Sequence, residues 1–151
     1  MKFRHEWKHE ITPADRLILR ARLDAVAQRD SHGDRGRYEI RSLYFDDARD
    51  TALREKINGV NRREKFRLRY YNGDRSYICL EKKSKINGLC AKESTVLNAW
   101  EVQRLLDGDW AWMALDGRPL AAELYHIDLP AVDPTLELAL AAIRFAGGET
   151  V

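Results

Sequence analysis

The sequence lacks the features typical of disulfide-stabilised, membrane-spanning or P-loop proteins. It contains two cysteines, Cys79 and Cys90, whose spacing fits neither a disulfide framework nor a metal-binding pair. No apolar run approaches the roughly 18 residues that span a bilayer, and the first residues are charged where a signal peptide would be apolar. GxxxxGKS, GxxxxGKT and GxGxxG do not occur, so no glycine-rich phosphate loop is expected. These absences predict a cytoplasmic protein without a membrane segment.

Charge is abundant but unevenly distributed. One third of the residues are charged (33%), yet the net charge is only +2. Between Arg54 and Lys85 there are eleven Lys and Arg residues against four Asp and Glu, whereas residues 93–151 contain three against ten. The basic excess therefore lies in one block, where it could attract an anionic ligand or simply face water. Nucleic acid is not expected as the partner, because the block lacks an exposed aromatic platform and a groove-reading helix.

The segment EKFRLRYYNG, residues 64–73, alternates between apolar and basic side chains. Successive side chains of a strand point to opposite faces, so Phe66 and Leu68 predict an apolar face and Arg67 and Arg69 a cationic one. Asn-Gly turns after this strand and after the next one predict antiparallel hairpins. The chain is therefore expected to be α+β, with an antiparallel sheet. The predicted strands are residues 2–11, 37–46, 64–73, 75–85 and 89–97. Helices are predicted to begin at Pro13, after Asp46 or Asp47, and after Asn98. Weaker helical patterns occur at residues 111–117 and 120–127.

Pairing the strands so that they bury one common face brings cations together on the other. That face receives Arg67, Arg69 and Lys83 in the central hairpin. We expect the first strand to add Glu6 and Lys8 and the fifth to add Lys92 with Glu93; a bulge would bring Lys82 or Lys85 inward in place of Lys83. Arginine forks grip phosphate oxygens bidentately and lysines act as point charges, so this arrangement suits a chain of phosphates. His5 and His9 share the parity of Trp7 and are expected to pack rather than to catalyse.

Five segments also resemble a known family in their order and spacing. They are RHEWKHEI, RSLYFDD, REKFRLRYYNG, LEKKSK and GLCAKES. Over residues 2–107 the chain resembles VTC domains, the polyphosphate-polymerase-like members of the CYTH, or triphosphate-tunnel, superfamily. The resemblance implies one domain over residues 1–151. Its fold would be an antiparallel β-tunnel lined by Arg, Lys and Glu, or the N-terminal half of that tunnel, with helices packed outside.

The resemblance further implies an activity and a set of site residues. The expected function is phosphotransfer: binding of ATP or triphosphate in a basic tunnel and transfer of the γ-phosphate to polyphosphate, with Mn²⁺ or Mg²⁺. The alternatives are a non-catalytic module that binds polyphosphate or nucleotide, and a triphosphate hydrolase. The residues implied as catalytic are Lys8, Arg67, Arg69 and Lys83, and the substrate-binding set is the same four with Lys92.

The implied metal ligands are two carboxylates whose role stays open. Glu6 and Glu81 are expected either to bind the metal or to form salt bridges with the surrounding cations. Arg4 stands where the superfamily has the first glutamate of its first strand, which argues against a hydrolase-type metal pair there.

The C-terminal part departs from the family pattern. Residues 108–151 do not show the further strands that would complete a tunnel, so this tail is expected to be diverged or truncated. A half-tunnel would have open sheet edges, which favour self-association.

Overall fold

The structure, a computed structural model, describes residues 2–28 and 38–127. In this part of the chain a five-stranded antiparallel sheet is accompanied by four α-helices and a short 3-10 helix, which confirms the predicted α+β class. The elements are β1 (Arg4–His5), α1 (Pro13–Leu23), β2 (Ile40–Phe45), α2 (Thr51–Ile57), β3 (Arg62–Tyr71), β4 (Ile78–Ile86), β5 (Leu89–Leu97), α3 (Ala99–Leu106), the 3-10 helix (Ala111–Leu115) and α4 (Pro119–Tyr125).

Two Asn-Gly turns set the path of the central strands. Asn87 and Gly88 both have positive φ (49° and 84°), the conformation of the tight turn whose twist matches a β-hairpin, and they join β4 directly to β5. Asn72 and Gly73 (φ 52° and 72°) begin the longer turn between β3 and β4. The resulting strand order is β1-β5-β4-β3-β2, with β1 and β2 at the edges of the described sheet. Self-association through these edges stays a prediction.

The helices after β5 cover one face of the sheet. Asn98 caps α3, as predicted: its side chain accepts a hydrogen bond from the backbone N–H of Glu101, whose own side chain accepts from the N–H of Asn98. α4 and the 3-10 helix complete the layer. The buried core between sheet and helices consists of Phe66, Leu68, Ile78, Leu80, Leu97, Leu105, Met113, Leu120, Ala121 and Leu124.

The pairing of β4 is continuous with both neighbours, so the side chains alternate without interruption. From Ile78 to Ile86 every residue has a partner in β5, and no bulge shifts the register. Lys82 therefore lies on the helix face, where it is buried and pairs with Glu64 and Glu123. Lys83 lies on the opposite face. Lys82 therefore does not replace Lys83 on the face that carries Arg67 and Arg69. The expected grouping of Glu93 with Lys92 is also wrong, because Glu93 is the cross-strand partner of Lys82 and shares its face.

The N-terminal segment differs most from expectation. The strand predicted over residues 2–11 is limited to Arg4–His5, which pairs with Leu89–Cys90. Beyond these two residues, no strand within residues 2–28 and 38–127 pairs with the segment to enforce the alternation. The expected burial of His5, Trp7 and His9 is wrong, because all three are exposed and Trp7 retains 79% of its accessible surface. The rings of His5 and Trp7 nevertheless stack, with their centroids 6.4 Å apart. α1 forms, with a capping box between Thr12 and Asp15, but ends at Leu23 rather than near residue 28.

α2 begins at Thr51, and both predicted capping aspartates serve its first turn. Asp46 accepts hydrogen bonds from the N–H groups of Ala52 and Leu53, and Asp47 accepts from that of Thr51. None of the helices in the described ranges is both long and apolar enough to cross a bilayer. The expectations for the tail beyond residue 127 lie outside the described residues.

Candidate anion-binding face

The face of the sheet turned away from α3, the 3-10 helix and α4 carries a concentration of basic side chains, and we call it the cationic face. It is built from alternate residues of β2 to β5, ordered in rows by the strand register. The rows are Lys65, Lys83 and Lys92; then Tyr44, Arg67, Glu81 and Ser94; then Ser42, Arg69, Cys79 and Val96.

The first of these rows consists of three lysines that are direct cross-strand neighbours, and we call it the lysine row. Lys83 of β4 lies opposite Lys65 of β3 on one side and opposite Lys92 of β5 on the other. Like charges placed directly opposite each other destabilise an antiparallel pair. The lysine row therefore needs negative charge from another part of the protein or from a ligand.

Glu81 supplies one of these charges from the centre of the sheet. Its side chain is almost completely buried, with the residue only 3% exposed. Oε2 accepts a hydrogen bond from Nε of Arg67 (2.7 Å) and lies 2.6 Å from its Nη2 in an ion pair, and Oε1 accepts from Nζ of Lys92 (2.8 Å). Burial alone would raise the pKa of Glu81, but the bonds from Lys92 and Arg67 outweigh it and lower the pKa. Glu81 is therefore an ionised, fully engaged carboxylate.

Arg67 is oriented from two sides. Besides its contact with Oε2 of Glu81, its Nη1 donates to the hydroxyl oxygen of Tyr44 (3.0 Å). Burial of Tyr44 would raise its pKa, yet the hydrogen bond from Arg67 and the charges of Lys65 and Arg69 lower it. The guanidinium is thus held in a fixed plane within the sheet, a suitable geometry for bidentate recognition of a further anion.

Lys65 and Arg69 are the least neutralised cations of this face. Nζ of Lys65 lies 4.9 Å from the ring centre of Tyr44, and Nε of Arg69 donates to Oγ of Ser42 (3.1 Å). Neither forms an ion pair with a carboxylate of the described residues. Burial and the positive charges of Arg67, Lys56 and Lys83 lower the pKa of Lys65, against the opposite effect of Tyr44. Nearby cations lower the pKa of Tyr44 and add to the effect of burial on the pKa of Lys65, which indicates a positive potential at this face.

The carboxylate that reaches Lys83 comes from the N-terminal segment. Glu6 lies just beyond β1 and accepts a hydrogen bond from Nζ of Lys83. This bond is the main cause of the lowered pKa of Glu6, opposed by burial. Lys8 lies at the rim: its Nζ is 3.9 Å from Oε1 of Glu6, and its side chain is 85% exposed.

The structure therefore brings together most, but not all, of the residues singled out in the sequence. Arg67, Arg69, Lys83 and Lys92 share the cationic face, with Glu81 between them. Lys85 lies on the same side of β4 as Lys83, paired with Arg63 and Cys90. Lys8 is set apart from the strands, and its role stays a prediction.

Two contributors were missed, Lys65 and Tyr44. Lys65 carried a usable signal, because it shares the parity of Arg67 and Arg69 within EKFRLRYYNG. The segment around Tyr44 contains no pattern that predicts its role, since its contact with Arg67 depends on the register between β2 and β3.

The carboxylates of this face do not fit a metal site formed by protein groups alone. Both oxygens of Glu81 and one oxygen of Glu6 are hydrogen-bonded to cations. Within residues 2–28 and 38–127 no group of three or more His, Cys, Asp or Glu side chains is placed to hold a metal ion. Divalent cations such as Mg²⁺ take several oxygen ligands. The assignment of Glu6 and Glu81 as metal ligands stays a prediction.

Comparison with protein families identifies one that covers most of the chain. The family model of the VTC domain matches residues 3–141, which is most of the chain and extends past the segments noticed in the sequence. No curated protein sequence matches the chain.

Proposed function

Because the chain belongs to the VTC domain family, whose membership indicates a polyphosphate-related function, we propose that its cationic face binds a linear chain of phosphates. The ligand is inorganic polyphosphate or the triphosphate of ATP. The observation that carries this proposal is the lysine row beside Arg67 and Arg69, a set of cations that exceeds the carboxylates available to neutralise it.

The spacing of the rows supports an extended ligand over a compact one. Residues two apart on a strand are separated by about 7 Å, and neighbouring strands by about 4.8 Å. A phosphate chain lying along β3 and β4 meets Arg69, then Arg67, then the lysine row. The arginines grip oxygens bidentately, and the lysines neutralise the charge that accumulates along the chain. A single phosphate reaches only a fraction of these groups.

We extend the proposal to phosphotransfer. A terminal oxygen of polyphosphate attacks the γ-phosphorus of ATP, and the bond from that phosphorus to the β,γ-bridging oxygen breaks. ADP leaves with the bonding electron pair, and the polyphosphate becomes one unit longer. The reaction requires positioning and charge neutralisation rather than a protein nucleophile. Arg67, Arg69 and the lysine row supply both.

A second candidate is binding of phosphate chains without turnover. It is favoured by the state of Glu81, whose two oxygens are both occupied by Arg67 and Lys92. A carboxylate in that state positions cations but is not free to bind a metal ion. This candidate needs the same ligand and the same face, so the two functions differ only in chemistry.

The deciding experiment incubates the full chain with ATP and either Mn²⁺ or Mg²⁺ and follows the products on polyphosphate gels. Long polyphosphate together with ADP supports phosphotransfer. Orthophosphate as the only new phosphate product indicates hydrolysis instead. Tripolyphosphate binding by calorimetry without any product supports the binding module, and absence of binding contradicts the proposal as a whole.

The site itself is tested by Arg69→Ala. Arg69 has no carboxylate partner among the described residues, so its removal leaves no buried charge behind. We expect tripolyphosphate affinity to fall at least about tenfold, because a charge-assisted hydrogen bond contributes about 1.5–3 kcal/mol. Arg75→Ala is the matched control: it removes the same charge from the exposed turn before β4. Equal effects of the two substitutions would contradict the site.

A further inference from the structure

The two carboxylates that neutralise the cationic face are held in different ways. Glu81 belongs to the central strand β4, is buried, and is fixed through both oxygens. Glu6 belongs to the exposed segment between β1 and α1, and its side chain is 27% exposed. Its ion pairs within the described residues are the hydrogen-bonded pair with Lys83 and the longer one with Lys8. Glu81 is therefore held by the backbone of the sheet and by its side-chain partners, whereas Glu6, outside the paired residues, contacts the sheet through its side chain.

Glu6 also occupies the position that a ligand requires. Lys83 is the middle member of the lysine row, and its ammonium already donates to the carboxylate of Glu6. A phosphate that reaches the lysine row meets this negative charge at its central cation. An anion held only at Arg69 does not meet the charge of Glu6, because it is too far from Lys83. The β4 partner of Arg69 is Cys79, which lies four residues from Lys83, roughly 14 Å at the rise of a strand.

We infer that Glu6 is a displaceable internal counter-ion that determines which phosphate chains the cationic face accepts. The inference rests on the proposed function and concerns the same site. In the free protein the carboxylate stands in for a phosphate at Lys83 and offsets the repulsion within the lysine row. A ligand long enough to reach Lys83 must bring enough charge to take its place. Glu6 thereby weakens the binding of extended phosphate chains and leaves short anions unaffected.

Displacement of the Glu6 side chain from Lys83 should cost the fold little stability, because of where Glu6 lies. It lies outside β1, so its release breaks no sheet hydrogen bond, and the residues that follow it up to Thr12 are exposed. Partly exposed ion pairs contribute little to stability. Removal of Glu81 from its partners would instead leave the partly buried Arg67 without its counter-charge. Only Glu6 is therefore suited to exchange with a ligand.

The test compares Glu6→Gln with Glu10→Gln in the full chain. Both variants lose one negative charge from the same exposed segment, but Glu10 forms no ion pair within the described residues. Binding of tripolyphosphate and of orthophosphate is measured by calorimetry in a metal-chelating buffer, so that any loss of a metal ligand has no influence. We expect Glu6→Gln to raise tripolyphosphate affinity about threefold to fivefold, the range of a partly exposed ion pair. Orthophosphate affinity should not change, and Glu10→Gln should leave both affinities unchanged.

A second pair of variants separates competition at Lys83 from a general change in charge. In a Lys83→Met background the gain from Glu6→Gln should disappear, because the shared cation is absent. A gain that persists there, or no gain in the single variant, would overturn the inference while the proposed function stands. Failure of the wild-type chain to bind tripolyphosphate would overturn both.

Discussion

Lys83 and Lys92 are direct cross-strand partners in the ladder of β4 and β5, with both ammonium groups on the cationic face. Each is paired with a different carboxylate: Lys83 with Glu6 and Lys92 with Glu81. The protein thus tolerates two opposed like charges by drawing one counter-charge from the N-terminal segment and one from the centre of the sheet. Lys65, the third member of the lysine row, has none among the described residues, and this deficit is what a bound phosphate chain would fill.

The assignment of the binding face is tested by two adjacent residues. We expect Lys83→Met to weaken tripolyphosphate binding about tenfold, because it removes a charge-assisted hydrogen bond from the lysine row. Lys82→Met removes the same charge one residue away, on the helix face, and should change the affinity by no more than about twofold. Calorimetric titration measures both. Equal losses would mean that binding responds to overall charge rather than to one face.

Glu81→Gln tests whether the buried carboxylate is structural. At neutral pH we expect the free energy of unfolding to fall by about 3 kcal/mol, since Arg67 loses a buried counter-charge. The pKa of Glu81 in the folded protein lies below its usual value of 4.5, so ionised Glu81 stabilises the fold above pH 4.5. That contribution is lost as the pH falls through the lower, folded-state pKa. Denaturant unfolding at neutral pH and at several acidic values measures the difference from wild type, which should shrink on acidification.

Glu10→Gln is the control for this series, because it changes a carboxylate that has no ion pair within the described residues. At neutral pH it should have almost no effect on the free energy of unfolding. A cost of Glu81→Gln that does not vary with pH would show that the variant disturbs packing rather than an ionised group.

Much of this architecture was accessible from the sequence because it depends on local rules. The two-residue period of EKFRLRYYNG fixed which side chains of β3 share a face, and the Asn-Gly turns fixed the antiparallel order. The capping of α3 by Asn98 follows from the same kind of local pattern.

What could not be predicted depends on pairing between distant segments. The alternation after Arg4 looks like a strand, but a strand needs a partner, and β5 pairs with only two residues of that segment. The contacts of Glu6 with Lys83 and of Tyr44 with Arg67 likewise follow from registers that no single segment contains. Sequence alternation therefore identified the face but not the carboxylates that neutralise it.

Lys65→Met should separate binding from stability. Met has a similar length and no charge, so it removes repulsion within the lysine row, and we expect the free energy of unfolding to rise by about 0.5 kcal/mol. Because the pKa of Lys65 is lowered in the folded protein, this advantage should shrink as the pH rises towards 10.5, where the wild-type lysine also loses its charge. Tripolyphosphate affinity should fall.

Thermal unfolding and calorimetry measure the two effects of Lys65→Met, with Arg75→Met in the exposed turn before β4 as the control for loss of one charge. If Lys65→Met lowered both stability and affinity, Lys65 would be a structural residue rather than a site residue.

Lys8→Ala tests the one implied site residue that the structure sets apart. Its side chain is 85% exposed and lies 3.9 Å from Glu6, so we expect its removal to weaken tripolyphosphate binding clearly less than Lys83→Ala does. The comparison requires only titrations of the two variants at the same ionic strength. Equal losses would support the role that the family resemblance implies and would mean that the segment after β1 closes over the ligand.

The strict alternation of β4 has a consequence for how this sequence can evolve. Insertion or deletion of one residue early in Ile78–Ile86 would move every later side chain of the strand to the opposite face of the sheet. Lys83 would then point into the apolar core, and Leu80 or Lys82 would point out of it. Core and ligand contacts would be lost in a single event. Changes of length should therefore be confined to loops such as residues 72–77, whereas single amino-acid replacements can retune the polar side of the strand without touching the apolar one.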